Sequence, residues 1–413
     1  MILRFTAAAT AAALFAYLPF LGLPFISDDY TQIRVARAYG PPGGWGELAA
    51  DPLYRCRATS LLLTAAVDSM FGLSPLAHNF TGHSLHALNT LLVGALGLWR
   101  RIGFAVSLPA ALFFAVYEGH QEAVVWNAAL PELLVFAFSA LTLLAWVQWL
   151  QTGRDRYAWA AAAAYLFALY SKESAVVLLP FLALAWWIET PRRLAPLLLL
   201  ACCTAVTIAY AAAIFSAGAS HLHLNDGTFS LSAPFPLTAG RSLMRMLWIW
   251  GVAALVVLAV RRRLQGTAAL ALGWVFAALL PYSFLSYMDR VPSRHTYLAA
   301  AGLALLVGAA WNALPVRRRL AGGLVCALLA HNVGYLWMRK LPQFERRAAA
   351  TQRFLDFAAD RQPPIVVDCA PYAPRILADA AAVALGLPLE AVLDAAAPGS
   401  LSSDARYCDL DHP

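Results

Sequence analysis

Charged side chains are scarce in this sequence: Asp, Glu, Lys and Arg make up 13% of 413 residues, against 61% that are hydrophobic. That is about half the charge of an ordinary soluble domain and too little to cover a water-exposed globule. No glycine-rich stretch is followed by Lys-Ser or Lys-Thr, which excludes a nucleotide cradle of the P-loop kind. The six cysteines lack metal-ligand spacing, and Cys202, Cys203 and Cys326 fall inside apolar runs, where they read as packing residues. The net charge of +7 is not gathered on one soluble face, so it does not signal nucleic acid. Neither a repeat of fixed period nor a low-complexity linker is present.

What the sequence has in abundance is apolar runs of roughly 20 residues, each long enough to cross about 30 Å of hydrocarbon as a helix. Backbone groups in lipid must be satisfied within their own segment, so helices are the expected form. The runs predict about eleven spans, near residues 6–24, 78–99, 102–117, 130–150, 157–170, 175–189, 194–215, 240–260, 267–287, 295–314 and 320–338. Arg4, Arg100-Arg101, Arg154 with Arg156, Arg192-Arg193, Arg261-Arg262-Arg263 and Arg317-Arg318-Arg319 then fall in connections on one side. That side is the expected cytoplasmic one, with the N-terminus, and the protein is expected in the bacterial inner membrane. The first run continues through Leu18-Pro19-Phe20-Leu21 without a small-x-small site and reads as an uncleaved anchor. The Trp residues at 126, 186, 187, 248 and 337 mark interfaces.

Three regions on the other, periplasmic side are too polar to be turns: 25–77, 216–239 and 339–413. Within the first, Leu61 to Phe71 is too short and too interrupted to span, and fits a helix lying at the interface. The last carries a helical pattern around Phe344 to Phe357, a β-like run Ile365-Val366-Val367 and a second helix from Ile376 to Leu387. It is thus a small α/β appendage of roughly 75 residues, marginal as an independent domain and expected to pack on the membrane part. Residues 1–338 form the membrane domain and 339–413 the appendage. Cys369 and Cys408 both lie in this tail, where an oxidising compartment permits a disulfide; the sequence leaves their pairing open.

Ionisable groups near a membrane are costly to bury, so their placement is informative. Asp28-Asp29 follow the first span, Glu118, His120 and Glu122 follow the third, Lys172-Glu173 cap the fifth, and Arg290, Arg294 and His295 precede the tenth. All fall at one depth on one side. A carboxylate there can take a proton from an acceptor hydroxyl while Arg, Lys and His hold a phosphate as its charge develops. That is the division of labour of a lipid-phosphate sugar transferase. Each residue also has a plainer role: the Asp pair as helix-end solvation, His120 and Glu122 as a cap, Lys172-Glu173 as an internal ion pair, Arg294 as a snorkelling anchor. Arg294 is the strongest phosphate candidate because a guanidinium engages phosphate in a bidentate way and keeps its charge. His221, His223 and Asp226 alternate in one loop and read as solvated rather than as metal ligands.

The same residues carry a family resemblance. The Asp-Asp after the first span, Leu53-Tyr54-Arg55 ahead of an amphipathic stretch, and His78-Asn79 with His83 to Asn89 entering the second span resemble the start of the membrane-embedded GT-C glycosyltransferases. The nearest similarity is to the transmembrane, tetratricopeptide-repeat-containing protein O-mannosyltransferases and their bacterial relatives. Gly119-His120-Gln121-Glu122-Ala123-Val124, Ser171-Lys172-Glu173-Ser174 and Arg294-His295-Thr296-Tyr297-Leu298 resemble that family's His-x-Glu-Ala-Val, Lys-Glu and Arg-x-x-Tyr-Leu elements, in family order. The chain departs from the family at Tyr54-Arg55-Cys56, where Tyr-Arg-Pro is usual, and at Glu118, where Pro is common. It also carries the short tail in place of the repeat array, which leaves acceptor recognition least transferable.

The resemblance implies an all-α, GT-C-like polytopic enzyme that inverts at the sugar carbon, moving a hexose of mannose type from a polyprenyl-phosphate carrier to a lipid, glycan or protein hydroxyl. One of Asp28 and Asp29 is the expected base, Asp28 slightly preferred, the other orienting the acceptor or binding a metal. Arg294, Lys172 and His295 are expected at the donor phosphate, with Tyr54, Arg55, His120, Glu122, Glu173 and Tyr297 in support. No cofactor is certain from these residues; a divalent metal is the open alternative. The rivals are a transporter or flippase of lipid-linked glycans, which calls for charged or broken helices near mid-depth, and a catalytically silent scaffold.

Overall fold

The computed structural model describes residues 2–41, 43–190, 193–218, 222–286, 288–315, 318–395 and 405–409. It is a helical bundle with a small sheet at the C-terminal end. Two helices form the bundle's axis, Leu130–Thr152 and Tyr297–Ala313, both mostly buried. Around them stand Ile2–Tyr17, Pro75–Ala95, Phe104–Val116, Asp155–Leu169, Leu178–Glu189 and Thr267–Leu279. Helix Leu194–Ser216 keeps most of its length exposed on the outside.

The axial Tyr297–Ala313 helix is rich in Ala and Gly, and this lets backbones approach as they do between membrane helices. A Cβ at Gly308 would stand 2.2 Å from the Val106 carbonyl oxygen, and one at Gly302 would stand 2.5 Å from that of Ala271. Glycine is therefore required at both crossings.

Among the described residues, five helical segments are long and apolar enough to cross a membrane: Asn127–Thr152, Leu194–Ser216, Thr267–Phe284, Ser293–Ala313 and Leu320–Ala359. The pair Phe235–Leu247 and Trp250–Val260, bent by 80°, makes a sixth if it is one broken span. This count departs from the eleven read off the apolar runs, and the reason is local. Ile2–Tyr17, Phe104–Val116, Asp155–Leu169 and Leu178–Glu189 hold 16, 13, 15 and 12 helical residues, or roughly 18–24 Å at 1.5 Å per residue. Their apolar runs continue into 3₁₀ turns and connections that add hydropathy without adding helix. Pro75–Ala95 has the length, at 21 residues, but His78, Asn79, His83, His86 and Asn89 dilute its hydropathy. Those polar groups point inward: the Asn79 amide donates to the carbonyls of Leu21 and Leu23 at 3.1 and 2.9 Å, and that of Asn89 to Leu133 at 2.9 Å.

The short connections gather at one end of the bundle. Trp99 Nε1 donates to Glu189 Oε1 at 3.0 Å, the Arg193 guanidinium to the Leu150 carbonyl at 3.5 Å, and Thr267 Oγ1 to the Arg101 carbonyl at 2.9 Å. The opposite end carries helix Asp28–Ala38, helix Ala58–Phe71 across it, and the C-terminal appendage.

The appendage begins without a break in the chain's helicity. Helix Arg318–Tyr335 passes through a π turn at Leu336–Lys340 into helix Leu341–Ala359. Beyond it lie β1 (Ile365–Cys369), helix Pro374–Leu385, β2 (Val392–Asp394) and β3 (Ala405–Cys408), the strands forming a parallel sheet in the order β2-β1-β3. A disulfide joins Cys369 to Cys408 across the β1–β3 pair, settling the pairing that the sequence left open. Phe25, Tyr30 and Ile33 share one apolar core with Phe354, Ile365, Leu377 and Val392, so the appendage and the Asp28 helix are packed as one unit.

Candidate functional site

Between the Asp28 helix, the appendage and the tips of the axial helices lies a cavity of about 660 Å³. Its polar wall comes from segments far apart in sequence. The Asp28 helix supplies Asp28, Thr31 and Gln32, which share a face at i, i+3 and i+4. The turn Tyr54–Arg57 supplies Tyr54 and Arg57, the segment after Leu169 supplies Lys172, Glu173 and Ser174, and the start of the Tyr297 helix supplies Arg294 and His295. Arg375 and Ile376 enter from the first turn of the appendage helix. The remaining wall is largely apolar, with Ile214 and Phe215 from the exposed Leu194–Ser216 helix facing Phe229, Phe284 and Leu285. Phe229 and Leu285 form an isolated antiparallel bridge that ties the 222–233 loop over this side.

The two aspartates have different environments. Asp29 is 1% exposed, and its two oxygens each accept a backbone amide at 2.8 Å, Oδ2 from Ile26 and Oδ1 from Ala128. Burial pushes its carboxyl up to about 7, against the pull of those two amides. Asp29 thus ties the end of the first helical segment to the tip of the axial one. Asp28 is half-buried and opens onto the cavity, its Oδ1 accepting from Ser27 Oγ at 3.1 Å. Burial raises its pKa also, opposed by the Ser27 hydroxyl and by Arg294, Arg347 and Arg375. Ser27 itself has φ 44°, a strained value for a residue with a Cβ that costs of order 1–3 kcal/mol. Its amide donates to Thr351 Oγ1 at 3.1 Å, so the appendage helix helps hold the turn that presents Asp28.

The cationic side is organised around Glu132, in the first turn of the axial Leu130–Thr152 helix. Its Oε1 contacts both Lys172 Nζ and His295 Nδ1 closely, and its Oε2 accepts from the Tyr282 hydroxyl at 3.0 Å. The Tyr282 ring stacks on His295 with centroids 4.6 Å apart. Lys172 is therefore a matched charge rather than a free one. Arg294 is braced differently: its amide donates to Glu122 Oε2 at 3.1 Å, its guanidinium lies 3.9 Å from the same oxygen, and it sits 4.9 Å from the Trp126 ring centroid. Arg347 lies 4.6 Å from that same ring. Burial works to raise the Glu122 carboxyl, but the Ser293 hydroxyl and Arg294 prevail and hold it below its ordinary value.

Of the side chains singled out from sequence, Asp28, Tyr54, Lys172, Glu173, Arg294 and His295 line the cavity together. Asp29 and Glu122 stand behind two of them. His120 is placed elsewhere, fully buried among Phe114, Tyr117, His86 and Tyr297. Tyr297 donates or accepts with His86 Nδ1 at 2.8 Å in that same interior cluster, and Arg55 turns to the Ala213 carbonyl at 2.9 Å. Glu132, Arg57, Trp126, Tyr282 and Arg375 were not among the expected site residues. A lone carboxylate in an otherwise apolar run was the available signal for Glu132. Among the described residues no group of three or more His, Cys, Asp or Glu is placed to hold a metal ion; His223 lines the cavity and His221 lies outside the described residues.

The arrangement offers a carboxylate that can accept a proton, an arginine and a lysine-histidine pair that can face an anion, and an apolar wall for a hydrocarbon chain. No protein-family model matches the chain, and no curated protein matches it.

Proposed function

We propose that this chain is a GT-C-like membrane glycosyltransferase that moves one sugar from a polyprenyl-phosphate donor to a hydroxyl of a lipid, glycan or protein. The observation that carries the reading is the single cavity on which Asp28 and Arg294 both open, polar on one wall and apolar along the exposed Leu194–Ser216 helix on the other. A lipid-linked sugar phosphate has that same division. In the reaction the acceptor oxygen forms a bond to the sugar's anomeric carbon as the bond from that carbon to the phosphate oxygen breaks. Asp28 takes the hydroxyl proton, and the electron pair leaves on the polyprenyl phosphate, which Arg294 holds with His295 and Lys172 beside it. Attack opposite the departing phosphate inverts the carbon.

In this reading about eleven segments traverse or enter the bilayer, the shorter helices being supported by their neighbours. The N-terminus is cytoplasmic and the appendage periplasmic, in a bacterial inner membrane. Two features support that orientation: the arginine-bearing connections gather at the end away from the cavity, and a disulfide sits in the appendage, as suits an oxidising compartment. The flippase rival draws on the 80° break between Phe235–Leu247 and Trp250–Val260. Against it, Glu132 with its partners sits in a first helical turn rather than at mid-depth.

The deciding measurement is transfer of radiolabelled sugar from a panel of polyprenyl-phosphate donors by the purified chain in lipid nanodiscs. Loss of a general base is expected to lower kcat about 10²- to 10⁴-fold in Asp28→Asn, with donor binding retained. Equal transfer by the variant and the parent would remove Asp28 from the chemistry, and flipping of donor without transfer would favour the transporter.

A further inference from the structure

Two guanidinium groups that line the cavity have no ion-pair partner among the described residues, Arg375 acting on Asp28 only at longer range. Arg57 lines the wall with its Nε buried and without a partner among the described residues, and no carboxylate lies within ion-pair distance of it among them. Arg375 lines the same space and likewise holds neither an ion pair nor a hydrogen bond among the described residues. By contrast Lys172 is matched by Glu132 and Arg294 by Glu122. Arg57 is half-buried, and its buried, unpartnered Nε is costly unless a ligand supplies an acceptor, whereas Arg375 is exposed at the cavity's edge, where an incoming anion can meet it.

The position of Arg375 says which part of the ligand that anion belongs to. Asp379 lies one helical turn beyond Arg375, on the same face of the appendage helix. That carboxylate is buried and accepts from Thr31 Oγ1 at 2.6 Å and from Arg34 Nε at 2.5 Å. Thr31 lies one turn beyond Asp28 on the facing helix. The Asp379 clamp therefore sets Arg375 and Asp28 opposite each other, and the positive end of the Pro374–Leu385 helix points into the same space. Whatever Arg375 holds lies beside the group that would take the acceptor's proton. A sugar phosphodiester donor carries a single negative charge, and Arg294 is braced to meet it.

We infer that the acceptor itself carries an acidic group, a carboxylate or a phosphate, and that Arg375 with Arg57 recognises it, so that the appendage is a specificity element of the site. This rests on the transferase reading for the word acceptor; the anion site stands on the geometry. The Asp379 clamp fixes the helix that carries Arg375, so this exposed side chain springs from a held backbone beside the cavity.

The test uses the full chain in nanodiscs and three matched probes: octyl β-glucoside, octyl β-glucuronide and the 6-phosphate of octyl β-glucoside. Binding is read by fluorescence of the cavity tryptophan Trp126 against a Trp126→Phe control, and transfer by radiolabel from the polyprenyl-phosphate donor. Both acidic probes are expected to bind at least about tenfold tighter than the neutral one, and the comparison of the two tells carboxylate from phosphate. Arg375→Gln is expected to abolish the preference and Arg375→Lys to keep part of it, with donor KM unchanged in both. Arg57→Gln is expected to reduce the preference as well. Equal binding of all three probes by the parent overturns the inference, as does an Arg375→Gln variant that keeps the preference or loses donor affinity instead. A preference for acidic probes without any transfer overturns the transferase reading and leaves the anion site in place.

Discussion

Asp29 places a carboxylate where water does not reach it, and that has a consequence for stability. In an unfolded chain such a group titrates near 3.9, whereas burial raises it to about 7 in the folded protein. Between those values the folded state keeps a proton that the unfolded state has released. Its contribution to stability is therefore full below about pH 4 and is lost as the pH rises towards 7. Thermal unfolding of the parent and of Asp29→Asn between pH 4.5 and 8 is expected to show the decline in the parent and a flatter profile in the variant; parallel profiles would remove Asp29 as its source. The sequence places both aspartates at a helix start but cannot choose between them, because neighbouring helical positions face about 100° apart and the helix's rotation is set by the appendage packed against it. The same limit applies at Arg55 and Arg57: one turn of 3₁₀ geometry sends the first to a carbonyl and the second into the cavity. Glu132 was visible as a single charge in an apolar run, yet its partners Lys172 and His295 come from segments 40 and 163 residues away.

At the scale of elements, hydropathy found where the chain is apolar more reliably than where it is a long helix. The run over 102–117 holds only the Phe104–Val116 helix, and the run over 6–24 ends its helix at Tyr17 and closes with a 3₁₀ turn. The helical character of Leu61 to Phe71 was legible, since Ala58–Phe71 is a 14-residue helix packed on the Asp28 helix, bound to it by Arg37 and Asp68. What apolar composition does not encode is which helices cross closely, and that is decided by single small residues. Gly308 meets the Val106 backbone of the Phe104–Val116 helix, where a side chain has no flexible atom to displace. Gly308→Ala is expected to force the two helices apart and to cost about 1–3 kcal/mol, read as a lowered unfolding midpoint in detergent. Gly322→Ala, at a position with no neighbouring atom within 4 Å, is the control and is expected to leave the midpoint unchanged or slightly raised.

At the scale of the whole molecule, the appendage and the helical bundle depend on each other. The β-like run at Ile365 and the helix after it were legible from periodicity. The face of the bundle that they cover was not, because it depends on Phe25, Tyr30 and Ile33 entering the appendage core from the other end of the chain. The Cys369–Cys408 disulfide closes a loop of 39 residues that contains the whole Pro374–Leu385 helix, and with it Arg375 and Asp379. Closing a loop of that length contributes about 3–4 kcal/mol by restricting the unfolded chain. Cys369→Ser with Cys408→Ser is therefore expected to loosen the appendage first, while the larger apolar core that binds the helices stays folded. Hydrogen exchange resolved by segment checks this: protection should fall over 365–395 and over the Asp28–Ala38 helix, which shares the appendage core, and should hold over Leu130–Thr152. Loss of protection confined to the sheet would mean that the Asp28 helix is held by the helical bundle alone, and the cavity would then keep its shape without its cover.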